Sequence, residues 1–357
     1  MTFPSRFRAL SPAFSALLLA AMMLITLFSA VGISPPPPHA AKPKLTGIAN
    51  MSDRQLYGYI IEDMQHGKSY YQAVAFEHRR GHYPLKPFLT VRLPTLAWVS
   101  ATLGTQGTFV ALIALLLTTL LTWFHRMEHE QVDKRAIYAS TVTMAASAII
   151  LLAPTLSFFH EAWAALLIAL SLALWNPNKV WPSLIAGLAA ALIREMALAY
   201  LFLMIATALY ERQPREALKW LIVLGIAALF LYVHALHVNA IALPSDGKSG
   251  GWMGMRGWSG FIRSCVQATP FFYFPVWLGR AFMPLCLFGW ASWNTSIGLR
   301  TAGMLGGFTL MMMLFGREDN FYWGLLLTPL FASGLVFACL ALWQLVKQLR
   351  PARVLTP

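Results

Sequence analysis

Long apolar runs recur along this chain from Ala9 to Val346, and they restrict its folding more than any other feature. A run of about 18 or more apolar residues can cross the ~30 Å hydrocarbon core of a bilayer as a helix. Backbone polar groups in that core must be satisfied within the protein, which makes helices of such runs. The first run extends from Ala9 to about Ile33, behind Arg6 and Arg8. A cleaved signal peptide is the rival reading, but the run exceeds the ~7–15 apolar residues of a signal core. It reads as a signal anchor with its N-terminus in the cytoplasm. Further spans are expected at Thr105–Phe124, Ala136–Thr155, Trp220–Val238, Phe271–Trp293, Thr301–Phe315 and Phe321–Val346, with a short helix at Ala162–Leu174. Val180–Tyr210 is long for one span and short for two, and carries Arg194 and Glu195 at its middle. A charged pair at the bilayer centre is costly unless buried in protein or a wet cavity, so the segment reads as two short helices meeting at that pair. The expected fold is all-α: one polytopic membrane domain over residues 1–357, with about ten transmembrane helices.

Composition agrees. A chain that is 58% hydrophobic and 11% charged, with a mean hydropathy of +0.59, is no soluble domain. Its formal net charge of +13 points to lipid head groups and the positive-inside rule, and not to nucleic acid. The short loops Arg126–Arg135 and Arg212–Lys219 are basic and are assigned to the inner side. Both termini then lie in the cytoplasm, residues 34–94 and 239–263 form outer loops, and the expected location is a bacterial-type inner (plasma) membrane. Three cysteines, two of them in apolar runs, give neither a disulfide framework nor a metal site.

The first outer loop is the richest segment chemically. After the polyproline exit Pro35–Pro38, Ser52-Asp-Arg-Gln55 has the form of a capping box. Leu56, Tyr57, Ile60, Ile61 and Met64 then recur at helical spacing. The pattern predicts an amphipathic juxtamembrane helix over Asp53–Gln65, ended by Gly67. Two Pro-containing breaks, His82-Tyr-Pro84 and Lys86-Pro87, precede the return to the membrane.

With this topology the unusual polar groups fall on the outer side, which points to a cavity opening outward. Asp53, Glu62, Asp63 and Glu77 are its acids in the first loop; Asp53 suits a helix cap as well as a general base, and Glu62 and Asp63 suit a solvated helix face. His160 and Glu161 start a helix or line the cavity. Arg194-Glu195 is either a self-satisfied pair or part of a site. Arg280, inside an apolar run, must snorkel outward or pair with an anion. Arg317, Glu318, Asp319 and Asn320 lie beside the last span. His234 and His237 have the spacing of a metal pair but no third ligand, and no metal is expected. The glycine-rich stretch Gly247–Gly260 has the content of a mobile loop, with Trp252 and Trp258 as lid aromatics or as members of an interfacial belt.

These residues resemble a known family. The chain is similar in layout to polytopic GT-C superfamily glycosyltransferases that use polyprenyl-phosphate sugars, of the mannosyltransferase-like kind. The likeness is carried by one span followed by a large outer loop with an early acid and amphipathic helix (Ser52-Asp53-Arg-Gln-Leu-Tyr57), then His66-Gly67-Lys-Ser-Tyr-Tyr71. It continues with Val91-Arg92-Leu-Pro94, the helix break Gly187-Leu-Ala-Ala-Ala-Leu-Ile-Arg194-Glu195, and Gly316-Arg-Glu-Asp-Asn-Phe-Tyr-Trp-Gly324. A strict acidic pair at the start of the loop is lacking; Glu62-Asp63 follow nine residues after Asp53. The resemblance implies transfer of a sugar from a polyprenyl-phosphate donor to an acceptor on the extracytoplasmic side, with inversion. It further implies a carboxylate base among Asp53, Glu62 and Asp63. Arg92, Arg194, Arg280 and Arg317 would hold the donor phosphate, and His160, Glu161, Glu195, Asp319 and Asn320 would be polar cavity residues. No cofactor beyond the lipid-linked sugar is implied, and the expected partners are membrane lipids, that donor and an unspecified acceptor. Two other classes fit the same polar face: a transporter or flippase of lipid-linked sugars, and a non-catalytic scaffold subunit of envelope assembly.

Overall fold

The computed structural model describes residues 3–31, 51–153 and 156–349, the side chains of Glu318 and Asp319 excepted. The polyproline exit, the Asp319 side chain and the basic tail at Arg350 and Arg353 lie outside the described residues. Within them the chain is all-helical and forms no β-strand. In chain order the α-helices are α1 (Pro12–Val31), α2 (Asp53–Gln65), α3 (Tyr70–Arg80), α4 (Thr95–His129), α5 (Lys134–Ala148), α6 (His160–Leu174) and α7 (Trp181–Ile193). Then follow α8 (Leu198–Tyr210), α9 (Pro214–Ile241), α10 (Gly257–Gln267), α11 (Val276–Ser292), α12 (Ser296–Phe315), α13 (Thr328–Phe331) and α14 (Gly334–Gln348).

Six described helical segments are long and apolar enough to cross a membrane: Pro12–Val31, Phe88–His129, Lys134–Leu152, Pro214–Ile241, Ser296–Phe315 and Thr328–Gln348. This is an α-helical membrane protein. Three shorter apolar helices, at His160–Leu174, Trp181–Ile193 and Glu195–Tyr210, supplement them. The expected span Phe271–Trp293 is instead a 3-10 turn, Pro270–Tyr273, followed by the 17-residue α11 with Pro284 inside it. In α4 the helix is interrupted at Gly104, whose φ of 68° only glycine adopts cheaply.

The chain divides into two compact units. One comprises residues 1–33, 120–150 and 254–357. Here the segment before α1 is built into the core: Phe3 stacks on Phe337, Phe7 on Phe288, and the Arg6 amide donates to the Ser292 carbonyl at 2.8 Å. α11 and α14 cross backbone to backbone, since a Cβ on Gly289 would strike the Gly334 carbonyl and one on Gly334 the Cys286 carbonyl. Small residues at such crossings let helices approach closely in an apolar solvent.

The other unit comprises residues 34–119 and 151–253. Its centre is α6, buried on nearly every face from His160 to Ala173, as a helix apolar all round must be. α7 docks on α6 through reciprocal bonds between Ser171 and Ser183, 2.6 and 2.7 Å, joined by the Tyr200 hydroxyl at 2.8 Å. Glu216 at the start of α9 accepts from the indole N–H groups of Trp175 and Trp220. The first-loop helices pack onto this frame. Ser52 and Gln55 form the expected capping box of α2, and Ser69-Tyr-Tyr-Gln72 forms a second on α3. Arg79 grips Asp246 through two 2.9 Å bonds and the Ile241 carbonyl at 2.8 Å, tying α3 to the end of α9. Lys86 donates to the carbonyls of Leu243 and Pro244.

Candidate functional site

Three chain breaks in the second unit put charge where helices end. Glu161 is in the first turn of α6, where the aligned peptide dipoles favour a carboxylate. Arg194 follows α7 in an extended conformation, φ −138° and ψ 114°, and Glu195 opens the 3-10 turn that leads to α8. Arg92 precedes α4, with its carbonyl accepting from the Tyr70 hydroxyl at 2.5 Å. These groups meet. Arg194 Nε donates to Glu161 Oε1 at 2.7 Å, a terminal nitrogen of Arg194 pairs with Glu195, and Arg92 lies 3.7 Å from the same Glu161 oxygen. The side chains of Glu161 and Arg194 are 1% and 2% exposed and that of Arg92 12%, so this is a buried network of two guanidinium and two carboxylate groups, formally neutral. Neutrality is what makes such burial tolerable; an unpaired charge here would not be.

The network is bonded to the first loop. Arg92 Nε donates to the Tyr57 hydroxyl of α2 at 3.1 Å, and the Tyr57 ring meets His160 edge-on at 5.2 Å. Asp53 lies four residues before Tyr57 on α2, one turn away and about 6 Å along the axis on the same face. Its carboxylate accepts from the Tyr83 hydroxyl at 2.8 Å. Glu62 and Asp63 face elsewhere. Glu62 is exposed and Asp63 pairs with Lys68 at 2.9 Å.

Sequence reasoning singled out Arg92, His160, Glu161, Arg194 and Glu195, and the fold brings all five together. It did not assign roles to Tyr57, Tyr70, Tyr71, His78 or Tyr83, which bond segments of the loop to one another and, through Tyr71, to His234 of α9. The signal for them was the concentration of tyrosine and histidine in one loop. Tyr71 bonds His234 at 3.1 Å and stacks on His237 at 4.7 Å, and His234 Nε2 donates to the Val91 carbonyl at 3.2 Å. Among the described residues no group of three or more His, Cys, Asp or Glu could hold a metal ion.

The remaining candidates stand as follows. Trp252 is half-buried in the same unit. Arg280, Arg317, Asn320 and Trp258 belong to the other unit. There Trp258 donates to Ser29 Oγ at 2.9 Å, Arg256 to the Arg317 carbonyl at 3.4 Å, and Asn320 Nδ2 to the Tyr322 hydroxyl at 2.9 Å.

Electrostatics of the loop follow from burial and pairing. Burial holds the His78 imidazole down to about 4, against the pull of its bond to the Pro84 carbonyl, with the Arg92 charge adding to the depression. Burial pushes the Tyr70 phenol well up. The Arg79 bonds bring Asp246 down to about 2. At neutral pH the loop therefore presents neutral His78 and Tyr70 beside charged Arg92. Comparisons with family profiles, with curated proteins and with solved structures find no match to this chain.

Proposed function

We propose that this membrane protein is a GT-C-type glycosyltransferase that moves a sugar from a polyprenyl-phosphate donor to an acceptor hydroxyl on the extracytoplasmic side. The observation that carries the reading is the arrangement on α2: Asp53 sits one turn from Tyr57, which holds Arg92 at the edge of a buried charge network. An inverting transfer needs a carboxylate to take the acceptor proton and a fixed cation to meet the phosphate on which charge grows. In the proposed step the acceptor oxygen attacks the anomeric carbon, and the bond from that carbon to the phosphate oxygen breaks. The polyprenyl phosphate leaves with the electron pair, and Asp53 takes the proton. Arg92 grips the phosphate, for which guanidinium is geometrically suited; Arg280 and Arg317, in the other unit, are separate candidates for that role, each tested on its own. Arg194 serves by fixing Glu161.

Around this chemistry we propose a membrane domain of about ten helices in a bacterial-type inner membrane, the shorter apolar helices supplementing the six long ones. α2 lies at the membrane surface in the first outer loop, and both termini are cytoplasmic. The basic loops at Arg126–Arg135 and Arg212–Lys219 support that orientation. In the cysteine-labelling test, position 65 reacts from outside and position 213 from inside. Outside labelling at 213 reverses every later loop.

The enzymatic test is Asp53→Asn, which keeps shape and can still accept from the Tyr83 hydroxyl. Turnover of a polyprenyl-phosphate sugar falls by roughly 10²–10⁴-fold with folding intact if Asp53 is the base. A first-turn carboxylate serving the helix alone, with Ser52 as the cap, would leave turnover near normal and cost at most about 1 kcal/mol of stability. One observation favours a second reading, a non-catalytic scaffold subunit: Glu161 and Glu195 already neutralise Arg194, so the network holds together without a ligand. Full transfer by Asp53→Asn, Glu62→Gln and Asp63→Asn together removes these three acids from catalysis. Absence of transfer by the wild type favours the scaffold.

A further inference from the structure

A narrow, partly open cavity in the unit formed by residues 34–119 and 151–253 is lined by Tyr57, Tyr70, His78, Arg92 and His160, with apolar side chains making up the rest of its wall. It holds about 20 Å³ of free space, room for one water-sized group. His160 is only 4% exposed and borders it. The His160 ring bonds the Leu93 carbonyl, and its Nδ1 has no hydrogen-bond partner, so Nε2 is the bonded nitrogen. A carbonyl can only accept; Nε2 therefore carries the hydrogen, and in the neutral ring Nδ1 is left with a lone pair. The same logic applies to His78, whose Nδ1 must donate to the Pro84 carbonyl at 3.1 Å, leaving its Nε2 as an acceptor.

The cavity thus sets imidazole acceptors against a guanidinium, which has only donors. A group seated here must donate to one side and accept from the other within the space of one heavy atom. A carboxylate or phosphate oxygen cannot donate, an ammonium cannot accept, and an amide divides the two tasks between atoms that need more room. A hydroxyl does both through one oxygen. A buried nitrogen without a partner is costly, so whatever satisfies Nδ1 belongs to the folded protein.

We propose that this cavity is a hydroxyl-binding site, for water or for the hydroxyl of an alcohol or sugar, in which His160 Nδ1 accepts the O–H hydrogen and Arg92 donates to the oxygen. The site is argued from its own hydrogen-bonding requirements and goes beyond the transferase reading. If that reading holds, the cavity orients a hydroxyl of the acceptor other than the one that reacts, and His160 is its positioning residue.

The test is proton-detected solid-state NMR of the full-length protein in lipid vesicles, with ¹⁵N in the histidine rings. His160→Gln assigns the signal, since Gln keeps a donor for the Leu93 carbonyl and lacks the Nδ1 acceptor. Should that variant fail to insert, backbone correlation to Glu161 in the wild type assigns it instead. The expected result is a His160 Nδ1 with no directly bonded hydrogen and with magnetisation transfer from a hydroxyl proton. Adding millimolar methyl mannoside and methyl glucoside separates the sources. Transfer from sugar C–H protons identifies an alcohol ligand, and an unchanged water signal identifies ordered water; either outcome supports the site. A hydrogen on Nδ1 at pH 7, or no hydroxyl proton near it, overturns the proposal. Glycosyl transfer is not part of the readout, so the two readings fail separately.

Discussion

Glu161→Gln is the most informative perturbation of the buried network, because it changes one charge and almost no volume. The wild-type group balances two guanidiniums with two carboxylates, and Glu161 Oε1 sits 2.7 Å from Arg194 and 3.7 Å from Arg92. The amide oxygen can still accept from Arg194, so the loss is one of charge, with a cation left uncompensated at a site 1–2% exposed. Breaking a buried pair in this way costs about 3–5 kcal/mol, and the retained hydrogen bond puts the expectation near the lower end, about 3 kcal/mol. Arg194→Met should cost a similar amount by stranding Glu161. The double variant removes both members and leaves Arg92 with Glu195, so its cost should fall short of the sum by at least about 2 kcal/mol. The assay is reversible unfolding in mixed micelles titrated with SDS, followed by circular dichroism. A single-variant cost below about 1 kcal/mol, the scale of a solvent-exposed ion pair, would refute the reasoning. So would additivity of the two substitutions.

Other expectations are narrower. His78 is held near 4 in the fold against 6.5 for the free side chain, so the unfolded chain takes up a proton that the fold refuses. Its contribution is fully present above about pH 6.5 and is lost as pH falls from there toward 4. In that window the wild type should lose about 1.4 kcal/mol per pH unit more than His78→Gln, and equal slopes would contradict the burial argument. Arg280→Gln and Arg317→Gln should each weaken binding of polyprenyl-phosphate sugar by about 1.5–3 kcal/mol, measured by calorimetry in detergent. Unchanged affinity in both removes these residues from the phosphate role.

Much of the frame was legible from local pattern. The capping box at Ser52 and the period of Leu56, Tyr57, Ile60 and Ile61 are contained within 13 residues, and α2 forms where they placed it. The helix break at Arg194 was legible because a charged pair inside an apolar run has few affordable positions. The partners were not. Arg194 pairs with Glu195 as its neighbour in sequence suggests, but also with Glu161, 33 residues upstream, and Arg92 bonds Tyr57 at a separation of 35. Nothing in periodicity or hydropathy carries information over such distances. The span expected at Phe271–Trp293 misjudged a different point: hydropathy is blind to Pro275, which stands at the N-cap and starts the 17-residue helix only at Val276. α3 was overlooked because its sequence, YYQAVAFEHRR, is too polar to read as a membrane element. Its capping box, Ser69 to Gln72, was the available clue.

The crossing of α11 on α14 has a consequence for how this chain can vary. At Gly289 and Gly334 the contact consists of backbone meeting backbone, with no side chain to trim or enlarge. An ordinary core position forgives a substitution when its neighbours shrink to make room. Here the obstructing atom is a carbonyl oxygen, present in all twenty amino acids, so no exchange at the facing position creates space. A Cβ at either glycine must push the helix axes apart, and every side chain along the shared face loses contact together. Compensation can therefore come only from a shift of a whole helix. In a library of functional variants these two positions should be nearly silent, while the large apolar residues around them exchange freely.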